Sequence, residues 1–316
     1  MPELTDPDSR SNCSQIDKGH LSIPKGCIKL AGLLFKPVSI SGKAPGVVVI
    51  HPGGGVKEQS ASIYAKKLSE QGNIAIAYDA AHQGDSEGLP RYLEDPAVRT
   101  SDVSAVADYL ERLDAVDASR LFVVGVCAGG GYAVAAAKGD HRFKAVAIVN
   151  PVNGGDGARL GIDKKGDPAH AAAALGQIAL GIQSEAQTNE AITIPIIPPK
   201  GDNPGRDMLD THEYYFTSRR QHPNSKNKMA LRSVPFVMGW DAWVFADVLL
   251  MQPLLIVVGE ESANKWHADR LFELLSGKNK GLKRVVRPNA YHIDFYDKEE
   301  YVNPTIEETN TLLKTV

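Results

Sequence analysis

Cysteine is scarce in this chain: Cys13, Cys27 and Cys127 are the three among 316 residues. An odd, sparse set does not build a disulfide framework, and it fits a reducing compartment where a thiol stays usable. No Cys/His group has the spacing of a structural zinc site, so no metal is expected. No run reaches the ~18 apolar residues of a membrane-spanning helix. The stretch Met1–Arg10 is polar and acidic and lacks the apolar core of a secretory leader, which points to a cytoplasmic protein. A formal net charge of −3 without a basic run argues against a nucleic-acid partner.

What the chain does have is an alternation of apolar runs and helical patterns. Residues 26–36 read as a short strand or hairpin, and residues 1–25 as a polar arm. Runs at 46–50, 74–78, 121–125, 144–149 and 253–258 are continuous and apolar, as in strands covered on both faces, and a shorter strand falls near 283–287. Helix-like stretches lie at 60–71, 101–113 and 266–275. This order predicts an open, mostly parallel sheet with helices on both faces, formed by residues 26–150 and 249–316. Residues 151–248 break the rhythm with Gly, Ala, Pro and polar residues around helix-like pieces at 169–183 and 208–220. An insertion of this length is expected to be a helical lid over the edge of the sheet where ligands bind. A structural subdomain or a homodimer contact is the competing role.

The most informative segment is Leu121–Ala133, reading Leu-Phe-Val-Val-Gly-Val-Cys-Ala-Gly-Gly-Gly-Tyr-Ala. It has the form of a nucleophile elbow, Gly-x-nucleophile-x-Gly, with Cys127 at the apex between Gly125 and Gly129. Such a strand-to-helix turn leaves no space for side chains on either flank, and it sets the sulfur at a helix N-terminus, where amide dipoles favour a thiolate. A thiol nucleophile needs a base, a group that orients the base, and donors for the oxyanion. The chain order nucleophile, acid, histidine makes His292 the candidate base, in a late loop reading Tyr-His-Ile-Asp-Phe-Tyr-Asp. Glu260 and Glu261 are the carboxylates after the last long strand, in Gly-Glu-Glu-Ser-Ala-Asn. A Gly-x-acid reading selects Glu261, an acid directly after the glycine selects Glu260, and the residues alone leave both open. The oxyanion donors expected are the Ala128 amide and the loop His51-Pro52-Gly53-Gly54-Gly55, through Gly53 and Gly54. Tyr214, Tyr215, Trp240 and Trp243, all in the insertion, are candidates for an apolar acyl pocket.

With these parts assembled, the chain resembles the α/β-hydrolase superfamily, and within it the dienelactone-hydrolase-related branch. The resemblance is carried by His51–Gln59, by Tyr-Asp-Ala-Ala-His-Gln-Gly-Asp-Ser-Glu-Gly at 78–88, by Gly125–Ala133 and by His-Ile-Asp-Phe-Tyr-Asp at 292–297. It implies the α/β-hydrolase fold, a Cys127–His292–acid triad with a slight preference for Glu260, and no cofactor. It also implies a small-molecule ester, lactone or thioester substrate. Relatives include hydrolases and fungal acyl- or polyketide-transferases, so transfer or cyclisation stands beside hydrolysis. Two other readings are weaker. A dinucleotide-dependent oxidoreductase lacks its fingerprint after the first strand, and a non-catalytic binding protein would have no use for nucleophile, base and acid in order.

Overall fold

The computed structural model describes residues 16–202 and 204–316. Its first elements are β1 (Ile16–Lys25), β2 (Ile28–Pro37), β3 (Ala44–Ile50), α1 (Ser60–Glu70), β4 (Ile74–Tyr78), α2 (Pro96–Glu111), β5 (Val116–Val126), α3 (Ala128–Gly139) and β6 (Phe143–Val149). The insertion contains α4 (Gly154–Leu160), α5 (Pro168–Thr188), β7 (Thr193–Ile194), α6 (Arg206–Phe216), β8 (Met229–Ala230), α7 (Ser233–Met238) and α8 (Ala246–Leu249). The chain then returns to the sheet with β9 (Leu254–Gly259), α9 (Lys265–Leu275), β10 (Leu282–Arg287), α10 (Asp294–Asp297) and α11 (Glu299–Leu313).

Eight strands form one sheet in the order β1-β2-β4-β3-β5-β6-β9-β10. The β1–β2 and β2–β4 pairs are antiparallel and the others parallel. Alternate side chains of each central strand enter opposite cores. Val48 and Ile50 of β3 and Val123 of β5 pack with α2, α3 and α9, through Val103, Val106, Ala133, Ala268 and Leu271. Val47, Val49, Phe122 and Val124 pack on the other face with Ala61 and Tyr64 of α1 and Val302 and Ile306 of α11. Both faces are covered, so the strands read as unbroken apolar runs, and each fully buried Val, Ile or Leu contributes about 1.5–3 kcal/mol.

Two boundaries differ from the sequence reading. Residues 16–25 are not an arm: β1 pairs with β2 along its whole length, from Ile16 opposite Pro37 to Lys25 opposite Ile28. It is an edge strand with Asp17, Lys18 and His20 in solvent, and edge strands are commonly polar, which hides them in the sequence. The insertion is also not wholly a lid. Trp243 and Ala246 are fully buried in the core shared with α3 and α9, so the end of the insertion belongs to the body of the fold.

Candidate active site

The functional groups gather at the carboxyl ends of β3, β5, β6, β9 and β10, the edge at which open α/β sheets bind ligands. Cys127 follows β5 with φ 57° and ψ −124°, and α3 starts at the next residue. This left-handed-side backbone is strained for a residue with a side chain. It is held because Cys127 N–H donates to Val149 O (2.9 Å) while Cys127 O accepts from the amides of Gly130 and Val152 (2.9 Å each). A Cβ on Gly125 would run into the Gly129 carbonyl, and one on Gly129 would lie 2.5 Å from Ile50 O. The two glycines are therefore a steric requirement of the turn.

His292, in the loop after β10, is held at every polar atom. Its amide donates to Asp207 Oδ1 (2.9 Å), its carbonyl accepts from Asn150 Nδ2 (3.1 Å), and Nδ1–H donates to Asn264 Oδ1 (2.9 Å). Nε2 is thereby left to face Tyr296 Oη at 3.1 Å and the sulfur of Cys127. Asn150 ties this loop to the one after β9, because its Oδ1 also accepts from Gly259 N–H (2.9 Å) and Ser262 Oγ (3.2 Å). Burial by itself pushes the Cys127 thiol up. The opposing charge and hydrogen bond of His292, a hydrogen bond from Tyr296 and the Ala128 amide outweigh it and hold the thiol below its ordinary value. Burial pushes the His292 imidazole down, but the charge and hydrogen bond of Cys127, with the Asp207 carboxylate nearby, hold it above its ordinary value. A thiol lowered and an imidazole raised against each other favour transfer of the thiol proton from Cys127 to His292.

Neither of the two glutamates that the sequence offered as orienting groups meets the His292 ring. Glu260 and Glu261 donate only their amides, to Arg287 O (2.9 Å) and Ala290 O (3.0 Å), and both side chains are exposed. The His292 ring is met instead by Asn264, three residues past Glu261 and buried at the start of α9. A search restricted to carboxylates passes over it, although Cys-His-Asn is an established variant of the triad. Tyr296, four residues beyond His292, and Asp207, in the insertion, were also not singled out. Their role depends on α10 and α6 folding onto the His292 loop.

The Gly loop is built on a buried polar assembly. Arg99 donates to His51 O and contacts His51 Nε2 (3.2 Å each), and His51 Nδ1–H donates to Pro52 O (2.7 Å). Burial, with the Arg99 charge beside it, pushes His51 well below the usual imidazole value, so it is neutral. Gly53 faces the cavity beside Cys127 and Ala128, and a Cβ on it would lie 3.6 Å from the Ala128 Cβ. Gly54 has φ 72°, turns away to pack beside Ile196 and does not line the cavity. The Ala128 amide, the first of α3, has no intrahelical acceptor and interacts with the sulfur.

The cavity holds about 310 Å³ and opens on Cys127, His292, Asn264 and Tyr296. Met208, Thr211 and Tyr215 of α6 line it from one face of that helix, beside Asp207 at its start. Of the four aromatic residues expected in a pocket, Tyr215 alone lines it. Tyr214 is buried behind it against Tyr296, with ring centroids 5.0 Å apart. Trp240 stacks on Tyr132 (5.1 Å) and Trp243 lies in the core. The insertion also grips the base loop: Asp207 accepts from the His292 and Ala263 amides, and Arg219 is bidentate to Asp297 of α10 at 3.0 and 2.6 Å. Among the described residues, no cluster of three or more His, Cys, Asp or Glu side chains is arranged to hold a metal. None of their helices is long and apolar enough to cross a membrane.

The chain and its fold match known proteins. The model of the alpha/beta hydrolase family covers residues 47–303, and the chain belongs to that family of enzymes. It is 41% identical over 261 residues to the uncharacterised protein YcjY of Escherichia coli (strain K12), covering 82% of this chain and 85% of that protein. A thiohydrolase of Eupenicillium brefeldianum is 26% identical over 281 residues, 87% of this chain and 86% of the relative. The crystal structure of the hypothetical protein PA2218 from Pseudomonas aeruginosa superposes with a TM-score of 0.88 at 25% identity, covering 100% of this chain and 99% of that one.

Proposed function

We propose that this chain is a thiol-dependent acyl-transfer enzyme that cleaves an ester, lactone or thioester through an acyl-thioenzyme on Cys127. The observation that carries the reading is the coupling of the Cys127 thiol to the His292 imidazole at the mouth of an apolar cavity. His292 Nε2 takes the thiol proton, and the sulfur attacks the carbonyl carbon. The negative charge that develops on the carbonyl oxygen is met by the Ala128 amide and by the Gly53 segment. As the carbonyl re-forms, the bond to the alcohol or thiol breaks, and that group leaves with the proton from His292. Water then attacks the thioester while His292 removes its proton, and the acid and free thiol are regenerated. Asn264 fixes the His292 tautomer throughout.

The thiohydrolase relative supports thioester chemistry. A thioester on the enzyme is also open to an alcohol or amine in place of water, so transfer is the second fate of the same intermediate. The proposed location is the cytoplasm, where a reducing environment keeps such a thiol free. The test is intact-mass spectrometry after mixing with p-nitrophenyl esters and acyl thioesters, with and without an added alcohol or amine. An acyl adduct that maps to Cys127 and is absent from Cys127→Ala is expected. Undiminished turnover by Cys127→Ala removes the covalent mechanism.

A further inference from the structure

We infer that the Cys127 cavity selects uncharged, apolar acyl groups and rejects acyl groups that end in a carboxylate. The inference rests on Cys127 being the residue that takes up the acyl group. Its ground is the chemistry of the wall. Val152, Ile162, Ile196, Pro198 and Met208 supply an aliphatic surface, and no lysine or arginine lines the cavity among the described residues. The cations nearest in sequence to the wall residues of α6 are already engaged elsewhere. Arg206 lies over the Tyr291 ring (4.3 Å) and pairs with Asp210 (3.3 Å), and Arg219 is bidentate to Asp297. The second histidine of the wall, His267, is 1% exposed, and burial with the nearby His292 charge pushes it down to about 3, so it is neutral.

The one acid in the wall works in the same direction. Asp207 is 8% exposed, and both its oxygens are occupied by the His292 and Ala263 amides. A carboxylate on the tail of an acyl group would lose its water and approach Asp207, and the one wall imidazole held toward its charged form, His292, already faces the Cys127 sulfur. An unpaired charge removed from water is disfavoured far more strongly than a methyl group gains by burial.

The test separates binding from reaction. The full chain is treated with iodoacetamide, and alkylation of Cys127 is followed by mass in the presence of hexanamide or of adipamate, its carboxylate-ended counterpart. Neither amide needs to react. Hexanamide is expected to protect at concentrations at least tenfold lower, about 1.4 kcal/mol of discrimination. The p-nitrophenyl esters of hexanoate and adipate are compared in parallel, and the hexanoyl ester is expected to acylate at least tenfold faster. Met208→Arg, which sets a guanidinium in the wall, is expected to narrow or reverse both preferences. Protection by adipamate within tenfold of hexanamide, or protection by neither, overturns the inference, as does equal acylation by both esters. Selective protection without acylation by either ester leaves the cavity's selectivity standing and removes the acyl-transfer mechanism instead.

Discussion

Replacing Asn264 by alanine is the sharpest probe of how this site is organised. In the native protein His292 Nδ1–H donates to Asn264 Oδ1 at 2.9 Å inside a buried pocket. The substitution leaves that N–H without an acceptor, and a buried unsatisfied donor costs about 1–3 kcal/mol. The ring then gains by rotating or by adopting the other tautomer, and either change withdraws Nε2 from the sulfur. If the whole cost falls on the transition state, at 1.36 kcal/mol per factor of ten, kcat/KM drops about 5- to 150-fold. Glu260→Gln and Glu261→Gln, whose side chains lie in solvent, are expected to change it less than about twofold. The assay is p-nitrophenyl ester turnover beside the rate of Cys127 alkylation, with thermal unfolding to show that the fold is kept. A near-native rate for Asn264→Ala together with a tenfold loss in either glutamate variant would refute the assignment.

Two further outcomes follow from the same geometry. The lowered Cys127 thiol and raised His292 imidazole place the ion pair in a pH window that opens below the ordinary thiol value near 8.5 and closes above the ordinary imidazole value near 6.5. Alkylation is therefore expected to rise with pH through the lowered thiol value. Tyr296→Phe, which removes a donor to the thiolate, is expected to move that acid limb upward, whereas an unchanged limb would mean that the Tyr296 hydroxyl does not stabilise the thiolate. Gly125→Ala sets a Cβ against the Gly129 carbonyl, so it is expected to yield protein that fails to fold or unfolds several degrees earlier in a thermal scan. A native melting temperature in that variant would show that the elbow is not sterically constrained.

The insertion has a structural role in the site as well as a covering one. Asp207 at the start of α6 holds the amides of His292 and Ala263, and Arg219, just past its end, holds Asp297. The loop that carries the imidazole is therefore fixed from the insertion as well as from the sheet. The Gly53 loop depends on residues as remote as Arg99 of α2, which is 2% exposed and donates to the His51 carbonyl. Removing that guanidinium would take away the donor to the His51 carbonyl, while His51 Nε2 keeps the Ala80 amide.

The sequence by itself made the central sheet and the strand-to-helix turn legible and marked His292 as the candidate base. Continuous apolar runs mark strands covered on both faces, glycines on either side of Cys127 mark a turn with no space for a Cβ, and chain order marks His292. The apolar runs and the glycine-flanked turn are local properties, each written within about a dozen consecutive residues, whereas His292 is marked by its place late in the chain. Tertiary structure decided what meets the imidazole. Asn264 lay inside the motif already quoted, but an amide has no charge to attract notice and is identified only by the 2.9 Å contact it makes. Tyr296 and Asp207 reach the site because α10 and α6 dock on one loop, and Trp243 leaves it because α8 packs into the core. The polar edge strand β1 passed for an arm for a related reason: its partner β2 supplies the hydrogen bonds, and only the pairing reveals it. Periodicity and sterics are properties of neighbours in sequence, whereas a hydrogen-bond partner is a property of neighbours in space.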